Sequence, residues 1–139
     1  CRKLLEEMND YHRTIGSGMS SSPKYAEREI SWMLANKGTS GKRSVYFLAT
    51  VDQKLIGVIT AMLEDHESGG EYGAIRTMYV SPDVRRLKVG SRLLQLSLQR
   101  LHKAADMVYV GGAWENQDAV AFYLKNGFKH NSFELVHKR

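Results

Sequence analysis

Apolar positions near the start of the chain recur at helical spacing: Leu4, Met8, Tyr11 and Ile15 fall on one face and predict a helix over about residues 2–15. Ser22 and Pro23 then read as a cap and a first turn, Ala26, Ile30, Met33 and Leu34 mark a second buried face, and Gly38 lies just beyond its end. There the period changes. SVYFLATV (44–51) and KLIGVITAML (54–63) are rich in β-branched and apolar residues and flank a short polar turn at Asp52 and Gln53, the pattern of a hairpin. Both faces of each strand are apolar, which implies a sheet covered on two sides.

EYGAIRTMYV (71–80) is a third strand, stopped by Ser81 and Pro82. Its anchors Ile75, Met78 and Val80 break strict alternation; either a β-bulge near Arg76 and Thr77 restores the phase or both faces are simply covered. A helix is expected from about Gly90 to Ala104, with Leu94, Leu98, Leu101 and Ala105 on one face. MVYVGG (107–112) is a short strand. ENQDAVAFYLKNG (115–127) is a further helix, with Ala119, Phe122 and Tyr123 on one side and Gly127 placed to end it. FKH and SFELVHK read as a final strand pair. The order ααββ, β-loop-α, β-α, ββ is that of a mixed α/β (α+β) sandwich.

The 139 residues fit one domain, spanning 1–139, with loops at Gly16–Ser22 and Glu64–Gly70 too short to divide it. Cys1 is the one cysteine, so no disulfide framework exists, and the five histidines (12, 66, 102, 130 and 137) lack metal-ligand spacing; no metal is expected. No apolar run suggests a membrane span and no signal peptide is visible, so a cytoplasmic location is expected. The first residue is Cys and not Met, which raises the expectation of a trimmed chain. A net charge of +5 suits a small anionic ligand better than nucleic acid.

That charge gathers in one place. VRRLKVGSRLL (84–94) carries Arg85, Arg86, Lys88 and Arg92 where a loop becomes a helix. A helix start offers unpaired N–H groups and the positive end of the helix dipole, so residues 86–91 can cradle a diphosphate, with Gly90 allowing close backbone approach. A solvated basic helix start fits the same residues equally well.

Together with WENQDAVAFYLKNGFK (114–129), this stretch resembles the GNAT superfamily of N-acetyltransferases. In that family a strand ending in V-x-P leads to a loop of the form R-x-x-G-x-G or A and then a helix. Here Val80-Ser81-Pro82 precedes Arg85-Arg86-Leu87-Lys88-Val89-Gly90. The family's N-x-x-A-x-x-F/L-Y-x-x-x-G-F is matched by Asn116, Ala119, Phe122, Tyr123, Gly127 and Phe128. The resemblance covers about residues 44–130 and departs at one position, where Lys88 replaces the first loop glycine. A lysine there has to fit a bend that favours glycine, and adds a cation. The family's first strand usually precedes the first helix; the chain begins at or inside that helix.

The resemblance implies a mostly antiparallel central sheet with helices on both faces. It implies acetyl-CoA as co-substrate and transfer of its acetyl group to an amine by direct attack, through a tetrahedral intermediate. Met78, Tyr79, Val80, Arg85, Arg86, Leu87, Lys88, Val89, Gly90, Ser91 and Asn116 would then bind the donor. The pantetheine arm would lie along strand 71–80, with the thioester where that strand and 107–112 splay apart, and an N–H of Tyr79 or Val80 would hold the developing oxyanion. Tyr123 matches the family's general acid, which protonates the leaving thiolate, and it would also touch the donor. Glu71 is the first choice for general base, ahead of Glu115, Asp65, His66 and Glu67. Tyr11, His12, Tyr25, Trp32 and the acidic run Glu64, Asp65 and Glu67 would shape an acceptor site for a cationic small-molecule or peptide amine. A monomer and a homodimer fit equally. Two other classes remain open: a CoA-binding module without turnover, and a small basic nucleic-acid binder.

Overall fold

The computed structural model describes residues 2–14, 28, 31, 43–112, 115–132 and 137. Helix α1 (Arg2–Thr14) turns Leu4, Leu5 and Met8 inward, as its apolar spacing requires. The expected second helix lies outside the described residues, apart from Arg28 and Ser31, both helical. Strands β1 (Ser44–Val51), β2 (Lys54–Asp65), β3 (Glu71–Val80) and β4 (Val108–Val110) form one sheet in the order β1-β2-β3-β4. The first two pairings are antiparallel and the third is parallel. The β1–β2 turn places Asp52 and Gln53 at φ 47° and 63°, a double left-handed turn whose twist matches the strands it joins. Strand β2 runs two residues further than its apolar pattern, taking Glu64 and Asp65 out of the expected loop and into the ladder opposite Tyr72 and Glu71.

The β3 irregularity is a bulge. Thr60 faces Thr77 and Ala61 faces Ile75, leaving Arg76 as the extra residue. Its effect is to bring Ile75, Met78 and Val80 onto one face, despite their uneven spacing. That face packs on α2 (Val89–Leu101), through Leu93, Leu94 and Leu101 with Val45, Ile59, Ala61 and Leu63. The other face gives Val58 and Tyr79 to the Leu4, Leu5 and Met8 side of α1. Helices thus cover both faces, as expected. At Gly73 the layers meet so closely that a Cβ would sit 2.9 Å from Val108 Cγ2 and 3.3 Å from Leu101 Cβ.

Helix α2 starts at Val89 and ends at Leu101, short of Ala104, although Ala105 still reaches the core. Helix α3 (Gln117–Lys125) is capped by Asn116, whose Oδ1 accepts from the Ala119 N–H at 3.2 Å. Gly127 ends it at φ 91°. The expected strand over Phe128–His130 is absent: the Phe128 N–H bonds back to the Tyr123 carbonyl at 3.1 Å, so it continues the helix cap rather than a ladder. Most of the second expected partner, 133–136, lies outside the described residues.

Candidate active site

The parallel β3–β4 ladder stops at Ile75 and Val110, while β3 continues to Val80 with no strand paired on that side among the described residues. Which backbone groups face this open edge follows from alternation. The Ser81 N–H bonds to the Ile56 carbonyl at 2.8 Å, so Ser81, and with it Tyr79, points its backbone groups toward β2. Met78 and Val80 then aim theirs at the open edge. Of the two amides expected to serve an oxyanion, the edge therefore presents Val80, while the Tyr79 ring is buried against α1. The bulge at Arg76 sets this phase; without it the other pair of peptides would face outward.

Immediately after β3, a single 3-10 turn (Pro82–Val84) leads into the anion-type loop. Arg86 and Lys88 take φ values of 76° and 60°, with Leu87 between them outside the left-handed region. Such alternation turns successive N–H groups toward one concavity. The Arg92 N–H is bonded to the Lys88 carbonyl at 3.0 Å, so the amides of Val89, Gly90 and Ser91 form the first helical turn, where N–H groups have no acceptor within the helix. Arg86, Leu87, Lys88 and Arg92 are exposed around this mouth. Gly90 permits contact with its neighbours, since a Cβ there would approach Met78 Cε at 3.2 Å and Phe122 Cε2 at 3.5 Å.

Tyr123 completes the convergence of three elements. From α3 its hydroxyl reaches Met78 Sδ on β3 at 3.7 Å, beside the start of α2. Its ring stacks edge-on against Phe122 and Phe128, each at 5.3 Å. Burial pushes the phenol up to about 12, so it stays protonated through the neutral range and remains a donor aimed at a sulfur atom.

The carboxylates are distributed differently from their sequence pattern. Glu71 lies five residues before the bulge, roughly 17 Å along the strand at about 3.3 Å per residue, and Arg43 holds it at 3.2 Å. Arg43 also binds Asp65 at 2.9 Å. Glu67 and Glu115 are exposed, and His66 Nδ1 is 2.7 Å from Ser68 Oγ. Glu64 alone of the acidic run is partly enclosed: it accepts from the Tyr72 hydroxyl at 2.6 Å and lies 4.0 Å from the Arg76 guanidinium at the bulge. Tyr72 packs edge-on against Tyr109 of β4 at 5.4 Å. The sequence reading missed Tyr72 and Tyr109; once β3 and β4 are paired in register, Ala74 opposite Tyr109 puts these rings side by side. Tyr25, Trp32 and the His12 side chain lie outside the described residues.

The acetyltransferase (GNAT) family profile matches residues 3–128. An aminoalkylphosphonate N-acetyltransferase of Salmonella typhimurium is 29% identical over 93 residues, which are 66% of this chain and 60% of that protein. The match thus spans about three fifths of that curated relative. An aminoglycoside 6'-N-acetyltransferase of Acinetobacter haemolyticus superposes with a TM-score of 0.72 at 19% identity, covering 98% of this chain and 89% of that one. An aminoglycoside N-acetyltransferase solved with CoA superposes with a TM-score of 0.64 at 16% identity, covering 81% of this chain and 89% of that one. The fold, the two motifs in register and the profile match agree, and the chain belongs to the acetyltransferase (GNAT) family.

Proposed function

We propose that the chain is an N-acetyltransferase that moves the acetyl group of acetyl-CoA to a small amine. The observation that carries this reading is the meeting of the open Met78–Val80 edge, the first turn of α2 and the Tyr123 hydroxyl around one sulfur-lined spot. The residues present fit such a donor. The amides of Val89, Gly90 and Ser91, with Arg86, Lys88 and Arg92, suit a diphosphate, and Leu87 is exposed beside them. The edge N–H and carbonyl of Met78 suit an amide-bearing arm added like a strand. Asn116, used as a cap through Oδ1, keeps its side-chain N–H groups for the same arm.

In this reading the donor supplies an activated thioester. The Val80 N–H receives the charge that develops on the acetyl oxygen. Tyr123, kept neutral by burial, gives its proton to the departing sulfur. The attacking amine has an ordinary pKa of about 10.4 and must lose a proton first. Glu64 sits one ladder position nearer the bulge than Glu71, with its carboxylate 4.0 Å from the Arg76 guanidinium and steadied by Tyr72, so we take it as the base ahead of Glu71. The same carboxylate favours a cationic acceptor, in line with the amine substrates named for the relatives. We read the chain as one domain working in the cytoplasm, as a monomer or homodimer and without a metal. Among the described residues no helix is long and apolar enough to cross a membrane.

A calorimetric titration with acetyl-CoA followed by an amine panel scored for released thiol tests the reading. Tyr123→Phe is expected to lower kcat by about 100-fold, the range of a lost general acid, with donor affinity unchanged. Donor binding with no thiol release from any amine would favour the non-catalytic CoA module. Absence of donor binding, with salt-sensitive binding to DNA or RNA, would favour the nucleic-acid reading.

A further inference from the structure

Arg85 opens the loop motif, and by charge alone it belongs among the phosphate ligands. Its guanidinium is engaged elsewhere. Cζ lies 5.4 Å from the centroid of the Tyr11 ring on α1 and 5.5 Å from that of Tyr79 on β3. Nε donates to the Val80 carbonyl at 3.2 Å. The Arg85 backbone N–H is held as well, by the Pro82 carbonyl at 3.2 Å. A planar, delocalised cation stacks on aromatic faces and donates in a fixed fork, which a lysine does not reproduce. One side chain therefore ties together α1, the end of β3 and the first residue of the loop.

We propose that Arg85 is a positioning residue, a clamp that fixes α1 and the Val80 peptide against the anion loop, and not a ligand of the diphosphate. The clamp itself stands on these contacts alone. Its consequence for rate rests on the acetyltransferase reading: the clamp aligns the peptides at the open edge, so its loss affects every thioester donor, with or without phosphates.

The test uses the whole chain with Arg85→Lys, Tyr11→Leu, the double variant and Tyr11→Phe. Hydrogen exchange of the α1 amides, read without any donor, is expected to quicken about fivefold in Arg85→Lys and in Tyr11→Leu, in line with loss of a cation–π contact. The double variant should exchange no faster than either single one, and Tyr11→Phe, which keeps a ring, should match the parent. With donors present, Arg85→Lys should lower kcat/KM by roughly tenfold for acetyl-CoA and equally for S-acetylpantetheine, which has no diphosphate. Unchanged α1 exchange, or a loss confined to acetyl-CoA, overturns the clamp. If no amine is acetylated, the exchange result still decides the clamp, while the acetyltransferase reading fails separately.

Discussion

Lys88 illustrates how one residue can carry two opposed effects. At φ 60° it occupies a conformation that disfavours a side chain by about 1–2 kcal/mol, and glycine would relieve it. Part of that relief is offset because glycine also loosens the unfolded chain. Lys88→Gly is therefore expected to raise stability by a few tenths of a kcal/mol to about 1 kcal/mol in urea unfolding. The same change removes an exposed cation at the loop mouth, so acetyl-CoA affinity should fall severalfold at low salt, with the gap to the parent closing at high salt, where such charges are screened. An affinity loss that persists at high salt would assign Lys88 a direct bond instead. Tyr123 makes a different kind of prediction. Its phenol is raised in the folded state above the ordinary value of 10, to about 12, so it contributes stability that is complete below about pH 10 and is lost as pH rises toward 12. The Tyr123→Phe variant should show a shallower alkaline fall in unfolding free energy between those values. An identical fall in both proteins would place the phenol in a more solvated setting.

Among the elements, the β3 strand does most to position the site. Its bulge turns the end of the strand by one residue relative to its beginning, and its bare backbone at Gly73 admits both β4 and α2. Gly73→Ala pushes a methyl group against Val108 Cγ2 and against Cδ1 and Cβ of Leu101. It is expected to lower stability by about 1–3 kcal/mol, as overpacking does, seen as a lower urea midpoint. An unchanged midpoint would show that β4 is free to shift. The bulge was open to sequence reading because three apolar anchors at uneven spacing need one face; the register then distinguishes it from a strand covered on both sides. Helix starts and the two motifs were legible for similar reasons, since local spacing and capping chemistry fix them. The missing strand after Gly127 was not, because apolar Phe128 serves a helix cap through its backbone, which no side-chain pattern records. Nor was the fate of Arg85 or Glu71. Charge in a sequence gives affinity for something, while the partners here, Tyr11 and Tyr79 for one and Arg43 for the other, are assembled by pairing across distant segments.

On the scale of the whole molecule, two helical layers sandwich a sheet whose described order ends in the short parallel strand β4. Three exposed cations, Arg86, Lys88 and Arg92, stand where α2 begins, on the same side as the open edge of β3. Glu64 and Tyr72, on the proposed acceptor side, and Tyr109 beside them lie toward the other end of β3, beyond the bulge. The bulge thus stands between the proposed donor and acceptor approaches, and the two are brought to one strand from different ends.

The end of β3 at Met78 and Val80, with no strand beside it among the described residues, also bears on how the protein keeps in solution. Unpaired strand edges are templates on which other chains can add. A donor lying along this edge, as proposed, would therefore guard against self-association as well as react. Light scattering of concentrated, gently warmed protein should rise more slowly with CoA present than without it, and by more than the gain in unfolding temperature accounts for. Equal scattering at matched distance below the unfolding midpoint would mean that the edge is protected by the fold itself.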